Sequence, residues 1–192
     1  MNAITWNLAE EAACGWEPVE DTVHIWRAKC MSCYSEAEYA ISETIALLRK
    51  VTGKSSGSKT GHLFGHKVAE LAARFSQPDI KALKRARKAS QSLDKFQSQG
   101  AWRNILNHSA MTVYASREGS WLAEFKMITL SEANSTTSRT FIDEAMAQDM
   151  LLGLRSAVQS LATNLQHFRT ELAAEGKAPS VTPSAPGAQG SR

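Results

Sequence analysis

A run of apolar residues near the carboxyl end, spaced alternately three and four positions apart, most constrains how this chain can fold. The run consists of Leu151, Leu154, Val158, Leu161, Leu165, Phe168 and Leu172. This spacing places the seven side chains on one side of an α-helix, as in the packing face of a helical bundle or a short coiled coil. The sequence therefore predicts a helix over about 140–175 that packs against another helix.

A second apolar run, near the amino end, is a suitable partner for that helix. It consists of Val23, Trp26, Cys30, Cys33, Ala37, Ala40, Thr44, Leu47 and Val51, and Ile41, Ile45 and Leu48 widen it. The same spacing predicts a helix over about 21–51, followed by a flexible polar linker at 52–58. The Cys30-x-x-Cys33 pair lies on this apolar face, which favours two buried thiols over a redox pair or a zinc site.

Shorter elements occupy the middle of the chain. Apolar spacing predicts helices over about 61–75, from Pro78 to Gly100, and over about 101–112. Aromatic and β-branched residues on both sides of a Gly-containing loop predict a β-hairpin near 111–130. The expected fold is all-α, a helical bundle of four to five helices with this small hairpin inserted.

The chain is expected to form one domain with two extensions. Its 192 residues, 43% of them apolar, suffice for one core over 21–175. Residues 1–20 read as an acidic arm, and residues 176–192 are rich in Pro, Ser, Gly and Ala, which predicts a disordered tail. There is no secretion signal or long apolar segment, and three cysteines do not suggest a disulfide framework. A cytoplasmic protein that makes no membrane contact is expected.

Basic residues are concentrated between Pro78 and Arg103, where seven stand against two acidic ones. On a continuous helix, four of them fall at i, i+3, i+4 and i+7 and form one basic stripe. These four are Lys81, Lys84, Arg85 and Lys88. Such a stripe can follow an RNA phosphate backbone, although an ordinary solvated helix face gives the same pattern.

The segment Arg103-Asn104-Ile105-Leu106-Asn107-His108 follows this basic region. On a helix, Arg103 and His108 are about 140° apart around the axis, so they converge on one phosphate only at a cleft or opposite a second copy. Asn104 lies four residues before His108, on its face, and can orient the imidazole. The structural alternative is that Arg103 pairs with a carboxylate, Asn104 caps a helix, and His108 is an ordinary surface or buried residue.

This segment resembles the motif of the HEPN superfamily (higher eukaryotes and prokaryotes nucleotide-binding), which has Arg, a polar residue, three further residues and His within a helical bundle. The expected helical architecture resembles that of the family over about 21–175, whereas the motif itself comprises only six residues. In some members a tyrosine follows two residues after the His, and this chain has Ala110 there. Regulation through that tyrosine is therefore not implied.

The resemblance implies a metal-independent endoribonuclease that needs no cofactor, with Arg103, Asn104 and His108 as its catalytic residues. Two subunits of a homodimer would contribute these residues to one site, where RNA is cleaved to a 2′,3′-cyclic phosphate and a 5′-hydroxyl. Histidine exchanges the protons and arginine stabilises the charge on the phosphorus oxygens. Such proteins occur in toxin–antitoxin and defence systems, so an antitoxin or regulatory protein is a further expected partner.

Two other functions remain open from the sequence. One is a non-catalytic helical module of the same type that binds RNA or protein, and the other is a purely structural dimer held by the apolar run at 151–172. His62, His66 and Glu70 are four apart and could face a metal, but an ordinary polar helix face is the favoured interpretation. Arg117 and Arg139 could contact RNA, and nothing in the sequence distinguishes them from surface arginines.

Overall fold

The computed structural model describes residues 16–53, 63–117, 119–130 and 135–175, which form six helices and one sheet. In chain order they are α1 (Trp16–Thr52), α2 (Phe64–Phe75), α3 (Pro78–Lys81), α4 (Ala86–Gln97), α5 (Gly100–His108), β1 (Ala110–Ala115), β2 (Trp121–Leu130), β3 (Ser135–Asp143) and α6 (Glu144–Glu175). The predictions for residues 1–15, for most of the linker and for the tail at 176–192 lie outside the described residues.

The two long predicted helices are present and pack side by side. The Trp26 indole nitrogen of α1 donates a hydrogen bond to the Ala147 carbonyl near the start of α6, at 2.8 Å. Further along both helices, the Arg169 guanidinium of α6 donates to the Ala40 carbonyl at 3.1 Å and pairs with Glu43 at 3.2 Å. The two helices therefore run in the same direction, and the rest of the chain makes the connection between them.

The apolar run of α6 forms its buried face, as predicted. Six of the seven residues are buried, namely Leu154, Val158, Leu161, Leu165, Phe168 and Leu172, and Leu151 is half-buried. At about 25 cal/mol per Å² of apolar surface, one such leucine contributes roughly 1.5–3 kcal/mol relative to an exposed one. The α1–α6 pair is thus the main source of the core.

The predicted apolar face of α1 is buried over the first three-quarters of the helix. Near its end, the buried residues differ from the predicted ones. Cys30 and Cys33 are buried free thiols, as expected. Leu47 is only half-buried and Val51 is 38% exposed, whereas Leu48 is fully buried. A strict repeat of 3.5 residues drifts by about 20° per heptad around a straight helix, so the buried face moves toward the flanking residues.

The start of α1 lies earlier than predicted, whereas its end follows from local sequence. The helix begins at Trp16, so the last residues of the predicted acidic arm are helical. It ends at Thr52, and Gly53 has a positive φ of 62°. A left-handed residue of this kind terminates many helices, and glycine adopts it without strain.

The predicted hairpin is confirmed as β1 and β2, but it belongs to a three-stranded antiparallel sheet in the order β1-β2-β3. The sequence expectation placed 110–112 and 140–143 in helices, and both segments are strand. Asp143 ends β3 and its Oδ1 accepts the Met146 amide at 2.8 Å, so α6 begins only after this cap. The fold is therefore mostly helical with a small sheet rather than all-α.

The helix predicted from Pro78 to Gly100 is also interrupted. It divides into α3 and α4, separated by a turn over 82–85. The Glu171 carboxylate of α6 accepts the amides of Lys84 at 3.0 Å and Arg85 at 2.8 Å. This tertiary contact satisfies amides that a continuous helix would have paired internally. In the described part of the chain no helix has an apolar stretch long enough to span a membrane.

Candidate functional site

The predicted catalytic motif lies on α5, which α1 holds at both ends. The Tyr34 hydroxyl donates to the Gln99 carbonyl at the start of α5, at 2.7 Å. The Arg27 Nε donates to the Leu106 carbonyl in its last turn, also at 2.7 Å. Leu106 is also fully buried. A short helix fixed in this way presents its side chains in a defined geometry.

Arg103 points from α5 toward α1 and α2. Its Nη2 lies 3.4 Å from the Glu38 carboxylate, and its guanidinium carbon lies 4.5 Å from the centre of the Phe64 ring. The side chain is 22% exposed, and its Nε is buried without a hydrogen-bond partner. The carboxylate partner of the structural alternative is therefore present, and it is Glu38.

Glu38 is shared between two cations. Lys67 of α2 donates to its Oε1 at 2.8 Å, while Arg103 approaches Oε2 at 3.4 Å. The lysine contact is the shorter of the two, and hydrogen bonds between charged groups are strongest near 2.7–2.9 Å. Two positive charges against one carboxylate leave this junction of α1, α2 and α5 with a formal charge of +1.

His108 is the last residue of α5 and is exposed. Its Nε2 lies 3.2 Å from the Asn107 side-chain amide. The amide beside the imidazole is that of Asn107, and not that of Asn104, which the sequence suggested could orient it. Ser109 already has an extended backbone, so the side chain at the helix end is not confined to the face it shares with Asn104.

Asn104 is exposed and does not cap α5, whose first residue follows Gln99 without a side-chain cap. The contacts of Arg103 and His108 have no residue in common. A single chain therefore orients the arginine toward its own core and the histidine toward solvent, and it does not bring the two together.

The four predicted RNA-binding residues are all exposed, but they do not form a helical stripe. Lys81 ends α3, Lys84 and Arg85 lie in the turn, and Lys88 lies in α4. A groove of about 610 Å³ between α4 and α6 is lined by Lys88 and Lys95, together with the side chains of Gln91, Ser92, Asp94, Ser160 and Asn164. Lys95 was not predicted, although its position seven residues after Lys88 indicates the same helix face.

The candidate metal set is only partly described, since His62 lies outside the described residues. Glu70 is occupied by arginines, accepting from Arg49 at 2.9 Å and lying 4.0 Å from Arg74. Within the described ranges, no three histidine, cysteine or acidic side chains are grouped as metal ligands would be.

Comparisons of this chain with family models, with curated proteins and with solved structures find no match.

Proposed function

We propose that this protein is a metal-independent endoribonuclease of the HEPN type, active as a homodimer. The observation that carries the proposal is the placement of the motif. His108 is exposed at the end of a helix that Tyr34 and Arg27 fix to the core, with the Asn107 amide against its imidazole. An exposed and rigidly mounted histidine can act in proton transfer on a bound substrate.

The contact of Arg103 with Glu38 is compatible with a role in catalysis. When the guanidinium turns toward a phosphate, Lys67 remains on the carboxylate at 2.8 Å, so Glu38 does not lose its only counter-charge. The bond that is given up is the longer one, at 3.4 Å. We therefore assign Arg103 as the group that exchanges Glu38 for the substrate phosphate.

In the proposed reaction, His108 of one subunit takes the proton of the RNA 2′-hydroxyl as its oxygen bonds to phosphorus. The partner's His108 donates a proton to the 5′-oxygen as the P–O5′ bond breaks. Arg103 stabilises the additional negative charge on the other phosphorus oxygens. The products are a 2′,3′-cyclic phosphate and a 5′-hydroxyl, and DNA is resistant because it lacks the attacking hydroxyl.

A second candidate function is a non-catalytic module that binds RNA or protein. The Arg103–Glu38 contact favours it, because an arginine committed to its own core has a structural role already. The nuclease remains our main proposal. We place it in the cytoplasm, in a toxin–antitoxin or defence system, where its partner is an antitoxin or regulatory protein.

The test is cleavage of 5′-labelled RNA in excess chelator by the wild type and by three variants. His108→Ala and Arg103→Ala should each lower the rate by ~10²–10⁴. His167→Ala removes an exposed histidine on α6 and should leave the rate unchanged. Light scattering should show a dimer. Undiminished cleavage by His108→Ala, or loss of wild-type cleavage in chelator, would exclude this mechanism.

A further inference from the structure

The outer face of the sheet has an unusual set of exposed side chains. The inner face, with Val113, Ala123 and Ile142, is buried in the core. On the outer face, Tyr114 is 45% and Phe141 is 48% exposed. Single exposed aromatic residues are common, but two exposed rings grouped on one face are an arrangement that a binding surface can use.

A buried carboxylate lies between these two rings. Glu124 is on the outer face but only 2% exposed, because three side chains cover it. The Tyr114 hydroxyl donates to its Oε2 at 2.8 Å, Lys126 lies 3.5 Å away, and Arg139 lies 3.4 Å from Oε1. The Tyr114 hydrogen bond, followed by the two cations, holds the pKa of Glu124 below its usual range. The carboxylate is therefore charged at neutral pH.

The strand register shows how this carboxylate orients the tyrosine. Tyr114 of β1 stands opposite Leu122, whereas Glu124 stands opposite Thr112 and Phe141. The Tyr114–Glu124 hydrogen bond is thus diagonal across two strands, and a side chain that reaches a diagonal neighbour must incline along the sheet. The hydrogen bond therefore fixes the hydroxyl end of the Tyr114 side chain at Glu124, while 45% of the residue remains exposed.

The same carboxylate holds two cations on this surface. Lys126 and Arg139 are opposite each other in the register, and with Glu124 they give a local formal charge of +1, while Asp143 lies at the other end of the face, opposite Leu122. The Lys126 and Arg139 side chains are 41% and 61% exposed, so both can reach a ligand. The row they occupy begins at Ala110, two residues after His108. The row therefore begins close to the end of α5 in the chain.

We propose that the outer sheet face, with Tyr114, Phe141, Lys126 and Arg139, binds single-stranded RNA. Bases stack on the two rings, and the cations contact the phosphates. A duplex is excluded because its bases are already stacked inside the helix. The proposal rests on the proposed action on RNA and adds the form in which the substrate is bound. Glu124 is a positioning residue, since it acts through the side chains that it fixes.

The test measures binding of a fluorescently labelled uridine 12-mer by anisotropy, with the full chain carrying His108→Ala so that the RNA stays intact. Base stacking on an aromatic side chain contributes about 1–3 kcal/mol, so Tyr114→Ala and Phe141→Ala should each weaken binding by about 5- to 150-fold. The matched control is Tyr39→Ala, which removes a tyrosine that is 66% exposed on α1 and should not change the affinity.

Two further measurements separate stacking from charge and from misfolding. The double variant Lys126→Ala, Arg139→Ala should bind RNA with a weaker salt dependence. The slope of log K against log [salt] should fall by the amount expected for about two phosphate contacts. Tyr114→Phe keeps the ring but loses the hydrogen bond to Glu124, so it should bind more weakly than the parent and more tightly than Tyr114→Ala. The thermal stability of each variant is measured beside its affinity, and a variant that fails to fold is replaced by Phe141→Leu or Tyr114→Leu, which also remove the ring.

The outcomes are distinct from those of the nuclease test. Equal affinities for Tyr114→Ala, Phe141→Ala and Tyr39→Ala would overturn the proposal, as would tighter binding of a duplex 12-mer. Dissociation of a dimer by Tyr114→Ala without an effect on RNA would identify the face as a contact with a second copy, and would also overturn it. Binding that depends on the rings, in a wild type that does not cleave RNA, would support this surface and refute the nuclease.

Discussion

Replacing Glu171 by glutamine tests how the turn between α3 and α4 is held. Glu171 on α6 accepts the amides of Lys84 and Arg85, at 3.0 and 2.8 Å, with its two carboxylate oxygens. A glutamine has one acceptor oxygen, and its NH₂ group would face the second amide. The variant therefore loses one hydrogen bond and turns the other from a charged into a neutral bond, at the beginning of α4.

The size of the effect follows from these two contacts. A hydrogen bond to a charged group contributes about 1.5–3 kcal/mol and a neutral one about 0.5–1.5 kcal/mol. The contacts are solvent-exposed, which screens the charge and brings the expected loss down to about 1–2 kcal/mol. For a domain of this size, 1 kcal/mol corresponds to roughly 2–4 °C, so Tm should fall by about 2–8 °C.

The assay is thermal and urea denaturation followed by circular dichroism, in low salt and in 1 M NaCl. Glu175→Gln is the control, since it makes the same chemical change at an exposed position of the same helix. The difference between the two variants should narrow in high salt, where the carboxylate charge is screened. Equal stability of the two variants in low salt would refute the account of the turn given above.

Two further predictions concern α1. Tyr34→Phe removes the 2.7 Å hydrogen bond to the Gln99 carbonyl, which still accepts an amide of α5. The free energy of unfolding should therefore fall by only about 1 kcal/mol. The control Tyr39→Phe should change it little. A fall of 3 kcal/mol or more in Tyr34→Phe, or no fall at all, would contradict this prediction. Burial raises the pKa of Cys30 from 9.0 to about 12, so in Cys14→Ser protein a thiol reagent at pH 8 should react only as fast as the fold opens. Stability should fall as the pH rises above about 9, because the unfolded chain loses that proton first. Immediate stoichiometric labelling would exclude a buried thiol.

The sequence predicted the elements that have long, regular apolar spacing. The helices α1 and α6 each repeat that spacing over several turns, and the hairpin has aromatic and β-branched residues around a glycine. These signals are local and need no knowledge of the partner element. The β3 strand lacks a regular apolar spacing, because residues 135–139 are exposed and mostly Ser or Thr. Its threonines, Phe141 and Ile142 do favour extended backbone, but a short segment of this kind at the start of a predicted helix is assigned only once its pairing with β2 is known.

The break between α3 and α4 shows a second limit. No glycine or proline lies between Ala82 and Arg85, so the sequence predicts a continuous helix there. The interruption depends on the Glu171 carboxylate, more than 80 residues away in the chain. Helix propensity is a weak preference that a tertiary contact of this kind can override. The predicted basic stripe depended on that continuity and is lost with it.

The residues of the candidate site remain a prediction from the motif, whereas their contacts could not be predicted from the sequence. The motif identified Arg103 and His108, and the structural alternative included a carboxylate for the arginine. That this carboxylate is Glu38, 65 residues earlier, depends on how α5 lies on α1. Asn107 replaces Asn104 beside the imidazole because α5 ends at His108, and helix ends are the least predictable part of a helix.

The parallel arrangement of α1 and α6 has a consequence for the time at which the protein folds during its synthesis. The apolar face of α1 packs against α6. This helix ends at Glu175, more than 120 residues after α1 ends at Thr52. At about 5–20 residues per second, a ribosome needs roughly 6–25 s to make that stretch. Throughout this interval the part of the α1 apolar face that α6 covers has no partner in the chain. The α1–α6 contact can therefore form only after α6 has been translated.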